Sequence, residues 1–263
     1  GKCFQILPLP FAGILHTGKP NPLSPYICND KERLSVHHIY SNLWFLPSYV
    51  LYSANSPSFY RIVKEYANTR MDIERFLEVK EKYQYYASWA VWAEGTLPME
   101  NVGDLSILDP TSNKQLLKQL NPNIVLVALN IAATDIEGPW GNFHSGWHHA
   151  QDYKIRYAMK DTPLWAAYMT DIIKDHPELV AANIQAYLAQ NPDVERKHVQ
   201  NFKQELKDIG ARKPKLIAFG NVVHNILTRN LGNEFEIFSI RDYSHFINRD
   251  TYRNEVLELC KQL

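Results

Sequence analysis

The sequence predicts a three-layer α/β protein built on a four-stranded parallel sheet, with an N-terminal extension. Three observations carry that reading. Four short apolar runs of strand length recur in the second half of the chain, and segments with a helical apolar period separate them. The composition is that of an ordinary globular protein, with 45% hydrophobic and 21% charged residues over 263 positions. Alternation of strands and helices implies a sheet covered on both faces, with ligands at the carboxyl ends of the strands.

Taken in order, the first stretch to about Ser58 is rich in proline and turn residues, including Gly18-Lys19-Pro20-Asn21-Pro22. Its aromatic content argues against a free tail, so it is expected to pack on the rest. Ile73, Phe76, Leu77, Lys80 and Tyr83 then fall at helical spacing, with Asp72 as a plausible N-cap. An apolar aromatic piece, Tyr86-Ala87-Ser88-Trp89-Ala90-Val91-Trp92, and a turn-rich stretch lead to Asp109-Pro110. Strands are expected at 124–129, 164–169, 215–219 and 235–240. The clearest helix between them carries Val199, Phe202, Leu206 and Ile209 and stops at Gly210, a C′ glycine. Residues 221–229 and 249–262 read as further helices. The expected division is residues 1–110 as an extension with helices packed on the core, and 111–263 as the α/β domain.

Charge narrows the functional classes. Twenty-eight Lys and Arg balance twenty-eight Asp and Glu, so bulk electrostatic attraction to nucleic acid is excluded and any such role needs a local patch. The three cysteines, Cys3, Cys28 and Cys260, have no C-x-x-C spacing, which argues against a disulfide framework or a cysteine zinc site. No run of about 18 apolar residues is present, so no membrane span is expected. Prolines interrupt the apolar start, which does not read as a signal peptide, and a cytoplasmic location is the default expectation.

The residues after each strand are the places to look for chemistry. Asn130 ends the first strand, and a long loop follows with Gly138-Pro139-Trp140-Gly141-Asn142-Phe143-His144. A loop of that length and aromatic content reads as a binding loop, the alternative being that Trp140 and Phe143 pin it to the core. His144 and His148 are four apart, as a helical metal pair would be, but no H-E-x-x-H signature accompanies them, and a polar loop is the preferred reading. Asp171 is placed at the carboxyl edge of the second strand, as a base reader or as the N-cap of a following helix. Gly220, at a strand-to-helix turn, allows close backbone approach of a ligand. The fourth strand runs into Arg241-Asp242-Tyr243-Ser244-His245. G-x-G-x-x-G, the Walker lysine and the G-x-S-x-G elbow are all missing, which removes dinucleotide, P-loop and serine-hydrolase readings.

A buried strand ending in Leu129-Asn130, an aromatic loop ending in Asn142-Phe143, and Lys215-Leu216-Ile217-Ala218-Phe219-Gly220 before a helix together resemble the uracil-DNA glycosylase superfamily. The turn Ile240-Arg241-Asp242-Tyr243-Ser244-His245 is similar to that superfamily's final H-P-S loop. The similarity covers roughly the second half of the chain, and the first half looks like an uncharacterised branch of glycosylase-like proteins. The resemblance implies a glycosylase-like fold with the first predicted strand central, and two catalytic residues: Asn130 near the attacking water and His245 beside the departing base. It also implies a substrate-binding set of Phe143, stacking on a flipped base, with Asn142, Asp171, Gly220, Asp242 and Ser244. Two positions depart from the family. Asp171 stands where an Asn reads uracil, and Asp242 stands at the histidine position, with His245 displaced by three.

Three functions remain open at this point. One is excision or recognition of a modified base in DNA. A second is a catalytically inactive module that binds DNA or a nucleotide. The third is a small-molecule hydrolase, metal-assisted through His144 and His148. No cofactor and no metal are expected for the first two, and the sequence leaves the oligomeric state open.

Overall fold

The computed structural model describes residues 71–131, 138–147 and 149–263, together with a two-stranded antiparallel pair near the start. The chain divides into two compact units, Gly1–Ile62 and Val63–Leu263. In the first, β1 (Phe4–Gln5) pairs with β2 (Tyr26–Ile27). The expected packing of the proline-rich start lies otherwise outside the described residues, as do 132–137 and His148.

The second unit is α/β. Its sheet contains β3 (Ala87–Trp89), β4 (Asn121–Asn130), β5 (Ala167–Ile173), β6 (Lys215–Phe219) and β7 (Ile237–Ile240). They lie side by side in the order β3-β5-β4-β6-β7. β4 is central, as expected. The sheet is five-stranded and mixed, which corrects the expectation of four parallel strands. β3 runs antiparallel to β5, with Ala87 opposite Thr170 and Trp89 opposite Tyr168, while the other pairs are parallel. The missed strand is three residues long and fully buried, too short for alternation to be visible in the sequence. It lies before residue 110, so the sheet draws on both sides of that point.

The second predicted strand is displaced towards the C-terminus. Residues 164–166 form a turn in which Ala166 has φ +64°, and the strand begins only at Ala167. Its far end carries Thr170 and Asp171, polar residues that ended the apolar run in the sequence. They are nonetheless buried, because each has a partner in the fold. Asp171 therefore sits inside β5, beside Ala128 of β4, and is not the N-cap of a helix. The fourth strand starts two residues later than expected, at Ile237.

Helices cover both faces. On one side are α1 (Ile73–Tyr83), α4 (Ala181–Gln190), α5 (Pro192–Asp208) and α6 (Gly220–Leu231). Phe76, Leu188, Phe202 and Leu227 from these pack with Val125, Val127 and Tyr168 of the sheet. A short α2 (Leu116–Gln119) precedes β4. The other face is covered by α3 (Asp152–Met159) and α7 (Arg249–Cys260), whose Ile155, Met159, Tyr252 and Val256 meet Leu126, Met169 and Ile217. Alternate residues of one strand thus enter opposite cores, as the pleat requires.

Helix ends follow sequence signals. Asp72 caps α1 by accepting from the Arg75 N–H at 2.8 Å, while Phe76 and Val79 face inwards and Ile73 and Leu77 stay exposed. At the end of α5, Gly210 has φ +75°, its N–H reaches Lys207 O, and the Ala211 N–H reaches Leu206 O, a Schellman motif. The positive φ disfavours any side chain at Gly210, while the nearest atom to an added Cβ, the Arg75 guanidinium at 2.7 Å, belongs to a flexible side chain that can move aside.

Among the described residues no helix is long and apolar enough to cross a membrane.

Candidate functional site

The carboxyl ends of β4 to β7 bring together residues from four separate loops or strand ends. The loop after β4 is anchored from both sides. Trp140 inserts into one core, its rings 5.9 Å from Phe76, and Phe143 inserts into the other, 6.5 Å from Phe219. Phe143 is only 4% exposed, and its carbonyl accepts from the Trp92 indole at 3.2 Å. Phe143 thus pins the loop to the core, the alternative reading of its aromatic content, and does not offer its ring as the surface on which a flipped base would stack. An aromatic side chain offers a large apolar area, and here the core takes it. Both Trp140 and Phe143 have φ +66°, a left-handed conformation that turns the loop back on itself.

Asn142 and Asp171 meet. The Asn142 amide donates to Asp171 Oδ2 at 2.8 Å and to the Tyr86 carbonyl at 2.9 Å, which uses both of its N–H groups. Asp171 is 1% exposed, and burial pushes its carboxyl up to about 7, against the opposing pull of Lys174 and Asn142. From the neighbouring loop, Gly220 takes φ +81° at the start of α6, and a Cβ there would touch Asp242 Cβ at 3.5 Å. Asp242 Oδ1 accepts from the Ser244 N–H at 2.8 Å and its hydroxyl at 2.7 Å, a local turn. Tyr243 packs edge-on against Phe219 at 5.4 Å, which continues a row of rings from Phe143.

Asn130 and His245 stand apart from this group. The Asn130 amide nitrogen lies 2.8–3.1 Å from three carbonyls, those of Ile131, His176 and Glu178, so it serves to tie the end of β4 to the segment after β5. The His245 ring is exposed, while its backbone carbonyl is held by Lys154 at 2.8 Å. Ser244 is exposed as well. Lys174, just beyond β5, is buried and bound to Glu205 at 2.7 Å. Arg241 is paired with Glu255 at 3.1 Å.

His144 is buried with a ring nitrogen 3.2 Å from the Trp89 carbonyl, and its partner in the proposed metal pair, His148, lies outside the described residues. Among the described residues no group of three His, Cys, Asp or Glu could hold a metal ion. The chain matches no protein-family model, no curated protein and no solved structure. Function therefore has to be argued from the site.

Sequence reasoning missed Asp152, Lys154 and Phe246. Asp152 opens α3, is 5% exposed and accepts from the Ser145 N–H at 2.7 Å. Burial raises its carboxyl to about 7, with hydrogen bonds from Ser145 and Tyr243 opposing. Ile155, Ala158 and Met159 give α3 an apolar stripe that could have revealed the helix. Nothing in one sequence marks an Asp or Lys beside such a stripe as buried. Phe246 is fully exposed next to His245, where an apolar residue in a turn carries no periodic signal.

A cavity of about 540 Å³ lies elsewhere, between α4, α5 and α6. Of its charged lining, Glu195 and Arg229 bind each other at 2.8 Å and Arg196 pairs with Asp193. Chemistry places the candidate site at the strand ends instead.

The buried titratable groups predict a pH dependence of stability. Asp152 and Asp171 ionise near 7 in the fold, against about 3.9 in an unfolded chain, so between those values the folded state binds more protons. Their contribution is present at low pH and is lost as pH rises from about 4 through 7. His144 works oppositely. Burial lowers it to about 3, so its contribution is lost as pH falls from about 6.5 towards 3. Two carboxyls outweigh one imidazole where the windows overlap. The Asp152→Asn variant should lose about 2–3 kcal/mol of the stability difference between pH 5 and pH 8, at about 1.4 kcal/mol per unit. Urea unfolding at both pH values checks this, and an unchanged difference would refute it.

Proposed function

We propose that this chain is a uracil-DNA glycosylase-like protein that recognises a modified base in DNA at the carboxyl ends of β4 to β7. One observation carries the reading: Asn142, Phe143, Asp171, Gly220 and Asp242, drawn from four segments far apart in sequence, form one connected group. The parallel part of the sheet, with its first strand central, supports it. Polar groups at the strand ends of an open α/β sheet are where ligands bind. Exposed Phe246 gives the rim an apolar side chain of the kind that enters a base step when a nucleotide is turned out of the stack.

The same site supports a binding module without cleavage as the second reading. The Asn130 amide is committed to backbone carbonyls, and His245 presents its ring to solvent away from any buried partner.

The test is a panel of labelled duplexes and single strands carrying uracil, other altered bases or normal bases, scored for both abasic-site formation and affinity. Binding to one altered base, with or without release, supports the proposal. Phe246→Ala should then weaken binding to that duplex by about tenfold, the equivalent of ~1.4 kcal/mol, with no loss of thermal stability. Indifference to every base would overturn the reading.

A further inference from the structure

The last loop of the site is held by a buried cation. Helix α3 carries three polar side chains at alternate positions, Asp152, Lys154 and Arg156, and each is at most 9% exposed. Each binds backbone of a different segment. Asp152 accepts from Ser145 in the loop after β4. Arg156 donates to the carbonyls of Ala93, Leu97, Pro98 and Glu100. Lys154 donates to the carbonyl of His245, in the loop after β7.

Lysine is among the residue types least often fully buried, and its ammonium is normally matched by a carboxylate when it is. Among the described residues Lys154 bonds to a carbonyl and has no carboxylate within ion-pair distance. Asp242 acts on it through space. Burial pulls the ammonium below the ordinary lysine value, and Asp242 opposes that shift. Around the held carbonyl, the side chains of Ser244, His245 and Phe246 all point into solvent. Those three make no core contact, so the loop is seated by Tyr243, which packs on Phe219 and bonds to Asp152, by the Lys154 bond and by the local Asp242 turn.

We propose that Lys154 is a positioning residue: it seats the 242–246 loop so that Ser244, His245 and Phe246 meet a DNA strand together. The inference rests on the proposed function for its ligand, but its structural half can be read without one. An ammonium reaches a carbonyl and leaves two further N–H donors beside the loop, which a neutral side chain of similar length would not. The bond is made to backbone, so the identity of residue 245 does not matter to it.

The experiment compares wild type with Lys154→Met, Lys154→Arg and His245→Ala. Amide hydrogen exchange is followed over residues 241–248, and affinity is measured for a fluorescein-labelled duplex carrying one abasic-site analogue. Lys154→Met should speed exchange in 241–248 at least about tenfold, leave β4 to β6 protected, and weaken duplex binding by a similar factor. Lys154→Arg should restore part of both effects, and His245→Ala should leave exchange unchanged. Should the Met variant fail to fold, Lys154→Gln, which keeps a donor but no charge, takes its place. Unaltered exchange in 241–248 would overturn the proposal, and so would a loosened loop with unaltered affinity. If the wild type binds no duplex at all, the functional reading fails, while exchange alone still decides whether Lys154 seats the loop.

Discussion

On the proposed function, Asp171→Asn is expected to speed release of uracil from DNA by about tenfold at pH 8. An ionised carboxylate about 4 Å from a departing base anion is repelled by about 4 kcal/mol at an effective dielectric near 20. At ~1.4 kcal/mol per factor of ten, that slows the ionised form by nearly three orders of magnitude, so the neutral fraction carries the wild-type rate. An amide at the same place can donate as well as accept, which suits the edge of uracil. Burial raises the Asp171 carboxyl to about 7, so at pH 8 the group is mainly ionised and at pH 6 mainly neutral. Wild-type release should accordingly rise about tenfold from pH 8 to pH 6, while that of the Asn variant stays flat over the same range. Single-turnover release at pH 6, 7 and 8 measures both. A rate that the substitution leaves unchanged, or robust wild-type release at pH 8, would show that Asp171 does not face the leaving base.

Loss of the Lys174 charge is the second large effect expected. Glu205 is fully buried on α5 and accepts from three groups on or just beyond β5: Tyr168 at 2.8 Å, Thr170 at 2.7 Å and Lys174 at 2.7 Å. Lys174→Met removes the only cation of this network and leaves a carboxylate in the core. Breaking one side of a buried pair in this way costs about 3–5 kcal/mol. For a unit of this size that corresponds to a fall in Tm of roughly 10 °C. The paired replacement Lys174→Met with Glu205→Leu should recover part of the loss, because no unpaired charge then remains, although Tyr168 and Thr170 lose their acceptor. Thermal and urea unfolding of the single and double variants decide the matter. A single variant as stable as the parent would show that the buried Glu205 does not depend on the Lys174 charge.

These two residues also show what can be read from one sequence. The alternating order of strands and helices, the Asp72 cap and the Gly210 stop follow from local rules. Apolar period, cap chemistry and the left-handed glycine act within a few residues, so one sequence displays them. The grouping of Asn142, Asp171, Gly220 and Asp242 was also foreseeable, since all four lie near strand ends, where an open α/β sheet gathers its loops.

Burial of polar groups belongs to the tertiary structure. Thr170 and Asp171 look like the end of a strand in the sequence, yet the strand runs on because Glu205, more than thirty residues away, and Asn142 supply their partners. Phe143 and Trp140 read as a binding surface, but two separate cores accept their rings. Lys174 and Lys154 look like surface cations until a carboxylate and a carbonyl from distant segments fix them inside. A single sequence shows the type of each side chain and its near neighbours. Whether a polar or aromatic side chain faces water or the interior depends on partners that only the folded chain brings within hydrogen-bond distance, and that choice sets both the charge of Asp171 and the seat of the last loop.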